Sequence, residues 1–262
     1  MLIFENLLFY NSYTLVELKG IILLNRKGDL MPFFYYGFDR TYILVIIGFI
    51  LTMIAQANVN KAFAKYSKIG TKKQITGKEV CDYIINTYGF RDIKIKQIGN
   101  SLGDYFNPMT KEVALSPESM KETSIASVAV AAHEFGHVIQ YKEGYFPLKI
   151  KSYLVPAVNL GSKLSFPILF LGMILSKQNL LNFGILLFAL TLVFQIVTLP
   201  VEFNASRRAL MVLEESGILV GEENQYAKNM LKAAAYTYLA ATLTTALQFL
   251  RLVLLFGNRN RD

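Results

Sequence analysis

Apolar segments long enough to cross a lipid bilayer recur along the chain, and they restrict what it can fold into. A helix needs about 20 consecutive apolar residues to span a bilayer core. Residues 42–57 reach this length if the helix extends back to Phe38, and residues 180–199 form an uninterrupted apolar run. Hydrophobic residues make up 53% of the chain and the mean hydropathy is +0.36, more apolar than a typical soluble protein. The sequence predicts a mainly α-helical, multi-pass membrane protein.

Two further segments are weaker membrane-spanning candidates. Residues 154–175 contain Lys163, and a lysine in such a segment usually faces protein or reaches toward the interface. A long helix predicted over 224–256 becomes apolar enough to span, or to lie along the membrane, only from about residue 235. With 180–199, the segment 154–175 would form a transmembrane hairpin.

The net charge of +8 has a topological explanation. Much of the basic charge lies beside apolar segments, where cytoplasmic loops of membrane proteins concentrate Lys and Arg. Five lysines follow the first apolar segment: Lys61, Lys65, Lys68, Lys72 and Lys73. This places the end of that segment on the cytoplasmic side of a cell membrane. No nucleic-acid-binding signature accompanies the charge, so we expect a lipid bilayer as partner and no nucleic acid.

Residues 74–152 have the mixed polarity of a soluble domain. The run 76–79 has the capping-box pattern and predicts a helix that closes at Gly89. A Ser-Pro-Glu run at 116–118 predicts another helix start. Alternation over 92–98 predicts a strand with residues 93, 95 and 97 on its buried face, and residues 105–106 and 113–115 predict two short strands about a turn.

The only two histidines lie together in His133-Glu134-Phe135-Gly136-His137, on a helix predicted over 124–143. Residues four apart lie one turn apart on the same helix face, so both imidazoles can bind one zinc ion. The glutamate between them is then placed to act on the attacking water. Gly136 would allow another backbone to approach closely. The alternative is a surface helix with two solvated histidines.

A catalytic zinc takes three protein ligands and leaves one position for water. The single cysteine, Cys81, lies in a predicted helix and is more typical of a packed residue, so the third ligand is expected to be a carboxylate. Glu202 is the first carboxylate after the predicted hairpin returns the chain to the side that carries the histidines. Its alternative role is a helix N-terminal glutamate stabilised by the helix dipole. The other nearby acids are more typical of a solvated acidic stretch than of metal ligands: Glu214, Glu215, Glu222 and Glu223.

Two runs together resemble a known family. Residues 128–140 read VAVAAHEFGHVIQ and residues 199–210 read LPVEFNASRRAL, as in the neutral zinc metallopeptidases of the YugP type, which are bacterial multi-pass membrane proteins. The similarity runs from about Met31 to the last apolar segment. The family is also similar to HExxH membrane proteases of the heat-shock and CAAX-processing kind.

This resemblance implies a gluzincin-like zinc metallopeptidase in which His133, His137 and Glu202 bind zinc and Glu134 is the catalytic base. The CAAX-type relatives usually carry an aspartate four residues after the ligand glutamate, where this chain has Ser206. The residue that orients the imidazoles is therefore left open.

We expect a small α+β, zincin-like catalytic domain at the membrane surface. The predicted regions are an N-terminal extension (1–30), a first transmembrane helix (31–60), the catalytic domain (61–152) with its HExxH helix (124–143), a transmembrane hairpin (153–200), a third-ligand helix and connector (201–234), and a C-terminal apolar helix (235–262).

The expected function is hydrolysis of peptide bonds near the cytoplasmic membrane surface, with a polypeptide or membrane protein as substrate. The substrate would pair with a strand edge at 105–106 or 113–115, although both are also consistent with an ordinary hairpin. Arg207 or Arg208 could stabilise the oxyanion, but arginines after a membrane helix more often anchor to lipid headgroups. The alternatives are a non-catalytic membrane scaffold with a structural zinc site and, more weakly, a transporter.

Overall fold

The computed structural model describes residues 39–100 and 103–257, together with two short strands nearer the N-terminus. These strands, β1 (Leu23–Leu24) and β2 (Leu30–Met31), pair antiparallel. The rest of the predicted N-terminal extension, residues 1–30, lies outside the described residues, as does Phe38.

Long helices dominate the described part of the chain, where four of them are apolar enough to cross a membrane. They are α1 (Tyr42–Tyr66), α5 (Phe146–Ile174), α6 (Gln178–Glu215) and α7 (Glu222–Phe256). The mainly helical architecture with membrane-spanning candidates is therefore confirmed. Helix α1 begins at Tyr42 and not at Phe38, the start that the sequence prediction required for a full span. The Asp39 side chain accepts the backbone N–H groups of Thr41 and Tyr42 and so caps the helix there.

Glu202 lies well inside a helix, not at the start of one. The third-ligand helix was predicted to start at residue 201, directly after Pro200, but α6 runs without a break from Gln178 to Glu215 and contains Pro200 in its interior. A proline costs one backbone hydrogen bond in a helix and does not force the helix to end, and apolar membrane helices tolerate it. The alternative role of Glu202 as a helix N-terminal residue is therefore wrong.

Between α1 and α5 lies a small α+β segment whose local signals are those read from the sequence. Its elements are α2 (Gly77–Tyr88), β3 (Lys94–Gln97), β4 (Tyr105–Asn107), β5 (Glu112–Leu115), α3 (Pro117–Lys121) and α4 (Ile125–Lys142). The predicted capping box at Thr76 is present, and Gly89 ends α2 in the left-handed conformation, with φ of 69°. Ser116 caps α3 and Ser124 caps α4.

The strands form a three-stranded sheet in the order β3-β5-β4. Strand β5 is central, parallel to β3 and antiparallel to β4, with Phe106 opposite Val113. Ile93 is buried as predicted and Ile95 is half-buried, but Gln97 is exposed. The alternation therefore fails at its polar end, where burial would need a hydrogen-bond partner.

The described residues divide into two compact units. The first unit, residues 54–150 and 198–239, contains the sheet and α4, and its core includes the fully buried side chains of Ile84, Leu115, Phe135 and Leu213. The second unit, residues 39–53, 151–197 and 240–257, contains apolar helical segments that pack through Leu169, Leu181, Phe188, Leu252 and Phe256.

Within the second unit, α1 and α7 meet at a glycine. A Cβ atom added at Gly48 would lie 2.6 Å from Thr244 Cγ2, and the Thr244 hydroxyl donates to the Gly48 carbonyl oxygen at 3.0 Å. Thr52 Oγ1 lies 3.2 Å from Thr244 Oγ1. Small residues and inter-helix hydroxyl bonds of this kind hold membrane helices together, where no hydrophobic effect drives association.

Gly48→Val is expected to lower the thermal unfolding midpoint of the detergent-solubilised protein, because overpacking a close contact costs about 1–3 kcal/mol. The measurement is a thermal melt followed by helical circular dichroism. Ile47→Val, at the neighbouring position where the side chain is 41% exposed, is the control and should melt like the wild type. Equal midpoints for all three proteins would mean that this contact does not stabilise the helix pair.

Candidate metal centre

Helix α4 presents both histidines to the interior of the first unit. Its N-cap Ser124 accepts the Ser127 N–H, and its residues from Ile125 to Gln140 are buried except Val130. The residues His133 and His137 are 7% and 9% exposed, and their ring centroids lie 4.8 Å apart with planes inclined at 85°. The alternative of a surface helix with solvated histidines is therefore wrong.

Glu202 of α6 lies against both rings. Its Oε2 atom is 3.3 Å from His133 Nε2 and 3.4 Å from His137 Nε2. The residue is 2% exposed. Buried carboxylates in proteins are paired with cationic groups or coordinate metals. The three residues that the sequence proposed as ligands thus meet, with one potential ligand atom from each lying within 4.8 Å of the others.

The distances from the Glu202 carboxylate to the two imidazoles fit a zinc ion. Zinc–nitrogen and zinc–oxygen bonds of about 2.0–2.2 Å in a tetrahedron place neighbouring ligand atoms roughly 3.3–3.6 Å apart. The two carboxylate–imidazole distances, 3.3 and 3.4 Å, fall in this range. Two histidines and one glutamate also form a ligand set typical of catalytic zinc. The residues present, His133, His137 and Glu202, could therefore hold zinc.

Gly136 determines how closely the two ligand-bearing helices approach. A Cβ atom at this position would lie 2.3 Å from the Ala205 carbonyl oxygen and 2.9 Å from the Ala205 carbonyl carbon. These are backbone atoms, which cannot rotate away as a side chain can. The absence of a side chain at Gly136 therefore lets α6 come close enough to carry Glu202 between the rings.

The outer nitrogen of each imidazole also has a partner. His133 Nδ1 lies 3.1 Å from Ser206 Oγ, and His137 Nδ1 lies 3.0 Å from Gln140 Oε1. Neither of these two partners was predicted from the sequence. Helical spacing was an available signal, because Gln140 follows His137 by three residues and Ser206 follows Glu202 by four.

An open cleft adjoins the ligand cluster within the first unit. It holds about 740 Å³ of space, part of which is open solvent. Its polar lining consists of Gln56, Asn60, Asp104, His133, Glu134, Glu202, Ser206 and Tyr238. Its apolar lining consists of Val59, Phe63, Val130, Met230, Leu231, Ala234 and Ala235.

Glu134 lies on the wall of this cleft, next to the first histidine. Burial raises the pKa of the Glu134 carboxyl well above its ordinary value, and the charges of Asp104 and Glu202 act in the same direction, while His133 opposes them. Burial also raises the pKa of Asp104, whose carboxylate accepts the Ser116 N–H at 2.8 Å. No sequence pattern had indicated Asp104.

Tyr238 is a second residue that the sequence did not indicate. It lines the cleft, and its side chain hydrogen-bonds to the ligand candidate Glu202. It comes from α7, 36 positions after Glu202 in the chain, so no local pattern linked the two.

Arg208 does not face the cleft, as an oxyanion donor would, but contacts other residues. Its Nε donates to Asn204 Oδ1 at 2.7 Å, its guanidinium pairs with Glu143 at 2.6 Å, and it lies over the Tyr145 ring at 5.9 Å. None of these contacts belongs to the cleft lining. Its role here is to connect α6 to the end of α4.

Of the two strands considered for substrate pairing, only one lies at an edge of the sheet as described. Strand β5 (Glu112–Leu115) pairs on both sides, so residues 113–115 cannot pair with a further strand. Strand β4 is at the edge of the sheet as described, and the residue before it, Asp104, lines the cleft. The expectation for 113–115 is therefore wrong, and 105–106 stays a candidate.

The chain resembles known proteins over most of its length. The sequence model of the family described as "Putative neutral zinc metallopeptidase" matches residues 41–257. The chain belongs to this family. It is also 38% identical over 216 residues, 82% of this chain and 96% of the other, to the "Putative membrane protease YugP" of Bacillus subtilis (strain 168). No solved structure gives a significant match.

Membership of the zinc metallopeptidase family supports a peptidase role and hence a polypeptide substrate. Zinc is the cofactor of such a family, and the buried cluster of His133, His137 and Glu202 could bind it. Together with the membrane protease relative, the four apolar helices of the described chain indicate a membrane protein.

Gly136→Ala is expected to push α4 and α6 apart, because the new methyl group would overlap the Ala205 carbonyl. We expect a loss of about 1–3 kcal/mol in stability and at least about a tenfold fall in zinc affinity. Zinc affinity is measured by competition with a chromophoric chelator.

Gly161→Ala is the matched control for this substitution. It is also a helical glycine, but its Cβ would make only ordinary contacts, the nearest at 3.5 Å to the Leu187 carbonyl oxygen. It should keep the wild-type zinc affinity. If Gly136→Ala also keeps it, the close approach at Ala205 is not what assembles the site.

Proposed function

We propose that the protein is a membrane-embedded zinc endopeptidase in which His133, His137 and Glu202 hold the metal and Glu134 is the catalytic base. The observation that carries the proposal is the position of the Glu202 carboxylate, 3.3 and 3.4 Å from the two imidazole nitrogens. Glu134 shares a cleft wall with this cluster. In this reading the small α+β segment with α4 is a zincin-like catalytic domain.

The chemistry divides between the metal and the chain. When bound at such a site, zinc acts as a Lewis acid toward a peptide carbonyl and makes water nucleophilic at neutral pH. A Glu134 carboxylate oxygen accepts a proton from the attacking water while the water oxygen bonds to the carbonyl carbon of the peptide. The same carboxyl then donates that proton to the amide nitrogen as the C–N bond breaks. A purely structural zinc site does not require an acid beside its first histidine.

The cleft suggests how a peptide is held. Part of its wall is apolar, with Val59, Phe63, Met230 and Leu231, which suits an apolar substrate side chain. We propose that the substrate backbone pairs with β4, an edge strand of the sheet among the described residues, which begins directly after the cleft residue Asp104. Main-chain pairing of this kind binds peptides with little dependence on sequence.

We propose that the site works at the cytoplasmic surface of the cell membrane. Five lysines, from Lys61 to Lys73, follow the apolar part of α1 and support a cytoplasmic location for this end of the helix. Glu202 follows the apolar run 180–199 by three positions in the chain. Membrane proteins, or peptides that reach this surface, are the substrates expected of such a site.

Glu134→Gln is expected to bind zinc like the wild type but to lose at least about 100-fold in kcat/KM, because the amide cannot accept the water proton. Glu202→Ala is expected to lose both zinc and cleavage, because it removes one of three ligands. The measurements are zinc content by atomic spectroscopy and cleavage of casein or a membrane-protein substrate by the purified protein.

Glu222→Gln, a substitution at an exposed acid of α7, is the matched control and should change neither quantity. Equal cleavage by the wild type and Glu134→Gln would eliminate Glu134 as the base. Bound zinc without cleavage in any wild-type preparation would favour a scaffold with a structural zinc site.

The orientation is tested by labelling single cysteines in a Cys81→Ala background, since Cys81 is the only native cysteine. Lys73→Cys and Lys228→Cys should react only after the membrane is permeabilised, and Asn179→Cys should react with an impermeant maleimide in intact cells. All three positions are exposed. The reverse labelling pattern would place the site on the outer side.

A further inference from the structure

Gln140 joins the second histidine to the helix that carries Glu202. Its Oε1 atom lies 3.0 Å from His137 Nδ1. Its Nε2 atom donates to the Val201 carbonyl oxygen at 2.8 Å and to Asn204 Oδ1 at 2.9 Å. The residue is fully buried, so water does not compete for these bonds. One side chain therefore holds both a ligand ring and the backbone next to the third ligand.

The groups at the two ends of this hydrogen-bond network determine which atom donates and which accepts in each of its bonds. A backbone carbonyl can only accept, so the Gln140 atom that faces Val201 must be the amide nitrogen. A guanidinium can only donate, so the Asn204 atom that lies 2.7 Å from Arg208 Nε must be the amide oxygen. That oxygen in turn requires a donor from Gln140. Two independent constraints thus orient the Gln140 amide in the same way.

This orientation sets the tautomer of His137. With both Gln140 amide hydrogens donated toward α6, the Gln140 oxygen faces the ring and must accept the hydrogen of His137 Nδ1. A neutral imidazole carries one N–H, so the His137 Nε2 atom keeps its lone pair. Nε2 is the atom that lies 3.4 Å from Glu202 Oε2, toward the proposed metal position.

His133 lacks an equivalent constraint from its partner. Its Nδ1 atom lies 3.1 Å from Ser206 Oγ, and a hydroxyl can rotate either to donate or to accept. Ser206 therefore accommodates both tautomers of His133, whereas Gln140 accommodates only one tautomer of His137. This difference separates the two histidines chemically, although they belong to one motif.

We propose that Gln140 is a positioning residue of the metal site, oriented by the Arg208–Asn204 pair, which fixes His137 as the Nδ1–H tautomer before metal binds. The inference deepens the proposed function and rests on its metal site. Groups that orient a ligand histidine through its outer nitrogen typically contribute about 10–100-fold to metal affinity. Gln140 acts through His137 and touches no substrate.

The chain is suited to a direct test, because it contains only two histidines. Full-length protein labelled with ¹⁵N-histidine gives ring signals from two residues, assigned with the single variant His133→Ala. The spectra are recorded without zinc, and ¹⁵N shifts distinguish protonated from unprotonated ring nitrogens. We expect the metal-free wild type to show His137 protonated at Nδ1 alone.

Gln140→Met fills the same space without a polar atom, so His137 should lose its fixed tautomer and give averaged nitrogen shifts. Its zinc affinity, measured by chelator competition, should fall about 10–100-fold. Ser206→Ala is the matched control, since it removes a hydrogen bond from the other histidine and should leave the His137 tautomer unchanged. An unchanged His137 tautomer and unchanged zinc affinity in Gln140→Met would overturn the proposal.

Asn204 provides a second test if Gln140→Met does not fold. Here Asn204 acts only as an acceptor toward Gln140 and Arg208. Asn204→Asp keeps an acceptor oxygen and should preserve the tautomer and zinc affinity, whereas Asn204→Leu should disturb both. Wild-type behaviour of Asn204→Leu would overturn the role of the Arg208–Asn204 pair.

The outcomes separate this inference from the proposed function. The tautomer is read without zinc and without substrate, so it does not depend on cleavage. A protein with the fixed His137 tautomer that binds zinc but cleaves no peptide would overturn the peptidase proposal and leave the role of Gln140 standing. A cleaving enzyme in which Gln140→Met changes neither tautomer nor affinity would do the reverse.

Discussion

Two helices of the first unit touch backbone to backbone at Gly136 and Ala205, and the site depends on this contact. A Cβ atom at Gly136 would lie 2.3 Å from the Ala205 carbonyl oxygen, so α4 and α6 can reach their observed separation only with glycine there. At this separation the Glu202 carboxylate lies within 3.4 Å of both imidazoles. A helix interior normally disfavours glycine by about 1 kcal/mol relative to alanine, a cost that closer packing offsets here.

Close packing of the helices also buries polar groups, which then need partners. Gln140, Asn204 and Ser206 supply those partners for the imidazoles and for the α6 backbone. Because buried polar groups without hydrogen bonds are costly, such a network favours a single arrangement of its members. The same residues that satisfy the buried groups thus also aim the ligand atoms.

The local elements of the catalytic segment could be predicted because their determinants lie within a few residues. The capping box at Thr76 and the left-handed Gly89 bound α2, and Ser116 with Pro117 begins α3. The motif helix and both of its histidines were predicted in the same way, from a spacing that matches one helical turn. The prediction of Glu202 as a ligand also required the predicted transmembrane hairpin and the resemblance to a known family.

Predictions failed where the surrounding sequence or a distant part of the chain overruled a local pattern. Pro200 looked like a boundary, yet the surrounding apolar sequence continues the helix through it. Strand β5 looked like an edge candidate, but β3 and β4 occupy both of its sides. Asp104 and Tyr238 carry no recognisable pattern and reach the cleft only through the fold.

The sequence by itself determined the apolar helices, the motif, the small set of candidate ligands and the family, since each follows from composition, spacing or similarity along the chain. Only the tertiary structure decided that Glu202 reaches both rings and that Gln140 orients one of them. The reason is that hydrogen bonds and ligand geometry are set by distances of a few ångströms between residues some 60 positions apart, which no local pattern encodes.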